Sequence, residues 1–133
     1  MTPGDRIEHR ITKTVTESDN NLFCLLTMNP HPLHLDMTLK SKYSKIVVVG
    51  TYVLSLAVGI TVLDLSFNAI CNLGYSKVEH LKPVFIGDTL RCESFIISEA
   101  FRTTTKVVKV ETEVFNQRDE FVLRFHRDIL FNK

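Results

Sequence analysis

The 133-residue chain has no surplus of either charge: 16 Lys+Arg stand against 15 Asp+Glu, a formal net charge of +1. Binding to nucleic acid normally needs a basic excess or a basic cluster, and neither is present. Cysteine is scarce and poorly spaced for cross-linking. Cys24, Cys71 and Cys92 are odd in number, far apart and without CxxC spacing, which argues against a disulfide framework or a zinc site and fits a reduced, cytoplasmic setting. The opening residues Met1-Thr2-Pro3-Gly4-Asp5-Arg6 lack the apolar core of a secretory signal. With 44% hydrophobic and 23% charged residues, the composition is that of one globular domain over residues 1–133, not of a disordered or low-complexity chain.

Against this even background stands one long apolar run, Ile46 to Leu63, with no charged residue in it. Its length suits a membrane span, with Lys40, Lys42 and Lys45 as a basic flank, or else a helix that a water-soluble fold buries on nearly every side. The rest of the chain decides between them. Beyond Asn68 the apolar residues recur with period two. Val108, Val110, Thr112 and Val114 alternate with Lys109, Glu111 and Glu113; Leu90, Cys92 and Ile96 with Arg91 and Glu93; and Phe121, Leu123, Phe125, Ile129 and Phe131 with Arg124, His126 and Asp128. These predict three antiparallel strands, the last two joined by a turn at 116–119, preceded by a fourth strand around Ile70 to His80.

Such a sheet has one apolar face and needs a cover. Only the 46–63 run is apolar enough. As an 18-residue helix it would be about 27 Å long at 1.5 Å per residue, enough to cross the sheet. A helix lost to a membrane would leave the strand residues without a partner in so short a chain, so an α+β fold and no membrane association are expected.

Upstream, Thr16-Glu17-Ser18-Asp19 has the form of a capping box, and Leu22, Phe23, Leu25 and Leu26 give the following helix an apolar face. Asn29-Pro30-His31-Pro32 must end it, since proline cannot donate a helical hydrogen bond and biases its predecessor out of the helical region. A rigid loop bearing His31 and His34 therefore follows directly.

Three blocks together resemble the MaoC-like dehydratases, the family of (R)-specific enoyl-CoA hydratases. They are Thr14-Val15-Thr16-Glu17-Ser18-Asp19 with Phe23; the stretch from Leu26 to Asp36 (LTMNPHPLHLD), similar to the hydratase motif GDxNPLHxD; and Lys82-Pro83-Val84-Phe85-Ile86-Gly87-Asp88-Thr89-Leu90. The second block is the specific one, and its form is most similar to the subgroup that hydrates short branched dicarboxylic thioesters such as mesaconyl-CoA and itaconyl-CoA. The resemblance implies a hot-dog fold, an antiparallel sheet wrapped around a long central helix. It also implies a homodimer or higher homo-oligomer with sites near the subunit interface, and an acyl-CoA substrate with no separate cofactor or metal.

Hydration of an enoyl thioester needs a base for water, an acid for the α-carbon, and donors for an enolate-like oxygen. In the family an Asp and a His five residues apart do the acid–base work. His34 matches the His, but the Asp position is Asn29, and an amide cannot exchange a proton near neutral pH. Three readings stay open: His34 is the sole titrating base with Asn29 orienting water, which the rigid loop favours; a carboxylate, Asp36 or Asp19, takes over; or the activity is weakened or lost. The oxyanion donors are expected from the first N–H groups of the central helix, with Gly50 allowing close approach and Thr51 and Ser55 as further contacts.

Plainer roles compete with each of these. His34 is a packing residue, Gly50 relieves helix–sheet crowding, Asp36 caps a turn, and the three lysines form a solvated charge run rather than a coenzyme A phosphate site. Two other functions also fit the fold. A hot-dog thioesterase would place a carboxylate opposite the helix start, yet no Asp or Glu lies between Asp36 and Asp64. A non-catalytic acyl-CoA binding subunit would explain Asn29.

Overall fold

The period-two segments form long antiparallel strands, described together with the rest of residues 1–39 and 42–133 in a computed structural model. The strands are β1 (Arg6–Glu8), β2 (Lys13–Thr14), β3 (Cys71–His80), β4 (Thr89–Phe101), β5 (Thr105–Phe115) and β6 (Phe121–Asn132). The sheet runs β1-β4-β5-β6-β3, with β2 also on β4. Helix α1 spans Glu17–Leu26, and helix α2, Gly50–Thr61, continues into a π-helical turn at Val62–Ser66. Val114, Leu123 and Phe125 are buried against Val53, Ala57 and Ile60 of α2, while Val108, Val110 and Ile129 on the same strands are buried in a second cluster with Leu65 of the π-helical turn. This is the wrapped arrangement that the hot-dog resemblance implies.

The apolar run is not helical throughout. Ile46–Val49 is extended: Val47 bridges Phe85, and the Val48 N–H donates to the Val84 carbonyl at 2.8 Å. Three consecutive valines after an isoleucine are stiff at χ1 and favour extended backbone. The helix therefore begins at Gly50 and runs for 12 residues before its π-helical turn, about 18 Å rather than 27 Å. Among the described residues no helix is long and apolar enough to cross a membrane.

Glu93 keeps the outward face, directly across from Glu113, yet it is buried there, because β1 lies along β4 and brings Arg6 into an ion pair with it. Cys24 and Cys92 are buried and Cys71 is exposed; all three are free thiols, and burial pushes the Cys92 thiol up to about 12.

Period two on β6 also carries Arg127 inward, and it is fully buried. One guanidinium nitrogen donates to Thr61 Oγ1 at the end of α2, and Nε and Nη1 have no protein acceptor among the described residues. Burial lowers the Arg127 pKa from its ordinary value. Replacing Thr61 with valine keeps the shape but removes that acceptor. It should cost about 1–3 kcal/mol, the penalty of stranding a buried donor, read as a fall of several degrees in the thermal midpoint; an unchanged midpoint would show that the hydroxyl does not hold the arginine.

Candidate active site

The capping box forms as its sequence dictates. Asp19 N–H donates to Thr16 Oγ1 at 3.2 Å, and Thr16 N–H donates to Asp19 Oδ2 at 3.0 Å. Asp19 also pairs with Lys13 Nζ at 2.8 Å, and the lysine, followed by the Thr16 amide, holds its carboxyl down to about 2. Asp19 is thus occupied as a helix cap.

After α1, Asn29 Oδ1 accepts the His31 N–H at 3.1 Å, and His31 Nδ1 accepts the Leu33 N–H at 3.0 Å. His31 is therefore the cap of a single 3₁₀ turn, Pro32–His34, in which proline supplies a ready-made first position. The turn ends on His34, half-buried, with Nδ1 2.7 Å from the Val47 carbonyl oxygen. A carbonyl can only accept, so in the neutral ring Nδ1 carries the proton and Nε2 keeps its lone pair.

The side chain that aligns this loop with α2 belongs to none of the sequence motifs. Asn20, fully buried on α1, donates from Nδ2 to the His34 carbonyl at 2.9 Å and accepts the Val49 N–H on Oδ1 at 3.1 Å. Val49 is the residue just before α2. One amide thus joins the histidine loop to the helix start. The signal was an asparagine on the otherwise apolar inner side of α1. Asn20→Ala should lower stability by roughly 2 kcal/mol or more, since it strands a buried donor and a buried acceptor, and should lower turnover as well; wild-type denaturation and kinetics would refute the link.

His34, Val47, Val48, Gly50, His80 and Val84 are among the residues lining a cavity of about 280 Å³. The N–H groups of Gly50, which lines it, and of the next residue, Thr51, have no acceptor among the described residues, while Tyr52 N–H already returns to the Val49 carbonyl. Two free donors at the positive end of a helix are a place for a developing negative charge.

Gly50 does not need to be glycine for its backbone, which lies outside the left-handed region. It needs to be glycine for space, because a Cβ there would lie 2.8 Å from His80 Cε1. His80, at the end of β3, had no sequence context to mark it.

The other expected residues lie elsewhere. Asn29 lines a neighbouring cavity with Cys24, Leu25 and Met28. Asp36 is exposed and accepts from the Thr38 N–H and hydroxyl, which lower its pKa. Ser55 lies in a groove with Phe23 and Tyr52, and the exposed Thr51 side chain stands outside the histidine cavity. Lys42 and Lys45 sit over the rings of Tyr43 and Phe85; Lys40 lies outside the described residues. Among the described residues no group of three or more His, Cys, Asp or Glu side chains is placed to hold a metal ion.

A sheet wrapped on a central helix, with a histidine loop against the helix start, places the molecule in the hot-dog class. A solved protein from Mycobacterium tuberculosis with a double hot-dog fold superposes over 99% of this chain and 42% of its own, with a TM-score of 0.86 at 16% identity. The chain belongs to the MaoC-like family: the profile described as "MaoC like domain" matches residues 1–118. It is 33% identical to a mesaconyl-CoA hydratase of Cereibacter sphaeroides over 98% of this chain and 39% of that protein. A structure titled as a monoamine oxidase regulatory protein from Archaeoglobus fulgius shares 34% identity over 100% of this chain and 92% of its own, with a TM-score of 0.90. The chain thus spans about two fifths of the length of its curated hydratase relative.

Proposed function

We propose that this chain hydrates, and in reverse dehydrates, a short-chain enoyl-CoA thioester of the branched dicarboxylic type, as the name of its mesaconyl-CoA hydratase relative suggests. The observation that carries the reading is the cavity lined by both His34 and Gly50, the first residue of the helix whose opening N–H groups are without acceptors among the described residues. In this reaction His34 Nε2 takes a proton from water as the water oxygen bonds to the β-carbon. The double-bond electron pair moves onto the thioester oxygen, which the helix-start N–H groups hold. The enolate then takes the proton from His34 at the α-carbon, so one titrating group both removes and returns it.

That scheme needs no acid at Asn29, whose acceptor oxygen instead shapes the loop that presents His34. A cavity of this size, at the small end for ligand sites, suits a short acyl group. No carboxylate lines it among the described residues, which weighs against the thioesterase reading.

The active form is a homodimer in this proposal. β3 pairs with β6 along one edge only, and its Leu73, Tyr75 and Val78 are exposed, the unprotected kind of edge that another strand covers.

Incubation with crotonyl-CoA, mesaconyl-CoA and itaconyl-CoA, following enoyl absorbance and free thiol together, tests the function. Loss of absorbance without thiol is expected, fastest with a branched dicarboxylic substrate. Thiol release would mean a thioesterase, and no change in either signal would leave an acyl-CoA binding subunit.

A further inference from the structure

His80 lines the same cavity as His34, and no part of the scheme above uses it. It is the last residue of β3 and pairs in register with Leu123 of β6, whose side chain is fully buried on the wrapped face. Its ring is therefore directed over the start of α2. The edge formed by Cε1 and the two nitrogens faces Gly50: measured from an ideal Cβ on that glycine, Cε1, Nε2 and Nδ1 lie at 2.8, 3.1 and 3.2 Å. Among the described residues neither nitrogen has a hydrogen-bond partner, and the ring lines the same cavity as His34.

We infer that His80 is a further catalytic residue of this site, an N–H donor to the thioester oxygen beside the amides of Gly50 and Thr51. The inference rests on the hydratase reading. A neutral imidazole always has one N–H to give, and the reacting oxygen must sit within hydrogen-bond reach of the Gly50 amide, on the residue whose Cβ position the ring edge closes off. As charge builds on that oxygen, a donor aimed there stabilises the transition state more than the ground state. No proton leaves the ring: His34 carries the transferred proton, and His80 lends a hydrogen bond that strengthens as the enolate forms and relaxes as the α-carbon is protonated. The missing Cβ at residue 50 then has a purpose, since it lets the side-chain donor and the backbone donors converge on one oxygen.

The test compares wild type with His80→Phe, His80→Ala and His80→Asn on whichever of the three thioesters the wild type hydrates fastest, with thermal midpoints to confirm folding. Phenylalanine fills the ring's volume without a donor, and asparagine supplies a donor without an imidazole. His80→Phe and His80→Ala should lower kcat by about 10²- to 10³-fold, the usual loss for one oxyanion donor, with KM changed no more than a few-fold. His80→Asn should recover at least tenfold of that loss and keep the pH profile of the wild type. A His80→Phe enzyme with wild-type kcat, or an asparagine variant no faster than phenylalanine, overturns the assignment while leaving the hydratase reading intact. A wild type that hydrates none of the thioesters removes both.

Discussion

His34→Gln is expected to lower kcat for hydration by about 10²- to 10⁴-fold, the contribution of a positioned acid–base group. Glutamine can still reach a carbonyl or a water but cannot take up and return a proton. The fold should survive, because the backbone carbonyl of residue 34, not its ring, carries the Asn20 bond, and the side chain is only half-buried. Two readouts separate catalysis from folding: kcat should collapse while the thermal midpoint moves little. Retained wild-type turnover would sink the assignment of His34.

Gly50→Ala should separate stability from activity. Alanine at the first turn of a helix costs the unfolded chain conformational freedom that glycine keeps, a stabilising effect of about 0.4–1 kcal/mol where the backbone tolerates it. Here it does, since the glycine is not in the left-handed region. The added methyl would meet His80 Cε1 at 2.8 Å, closer than carbon atoms settle, so the ring must move. Because that ring belongs to an exposed strand end, the movement is cheap in stability. It shifts a cavity wall beside the helix-start donors, and kcat should fall by about 10²-fold, the scale of one displaced oxyanion donor. An active Gly50→Ala enzyme would reduce the glycine to a packing residue; an inactive one with an equal or higher midpoint marks it as functional.

Much of this architecture could be read from residue order. The alternation in β4, β5 and β6 and the capping box at Thr16 are local patterns with one structural solution each, and they appear where expected. The apolar run was legible as a core helix but not in its boundary. Hydropathy does not distinguish an extended Ile46–Val49 from a helical one, and the Val84 carbonyl that receives Val48 is 36 positions away. Of the candidate site, the two residues marked by the family resemblance, His34 and Gly50, line one cavity.

Asn20 and His80 carry no motif signal in the sequence because neither has meaning within its own segment. Asn20 gains its role from two backbone groups on different elements, and His80 from the register of β3 on β6. Asn29 illustrates the opposite case. The motif marks it as a water-orienting amide at the position of the family's Asp, while its local geometry makes it a loop acceptor.

The Asn20 amide also bears on how such a site can change over time. Because one planar group sets both the loop that carries the base and the turn that carries the donors, their separation is fixed from inside, by α1, rather than by the residues that line the rest of the cavity. Substitutions at Leu81, Lys82, Val84 or Val122 can reshape the room for the acyl group while the spacing between proton carrier and oxygen holder stays as it was. Selectivity and chemistry are then adjustable one at a time.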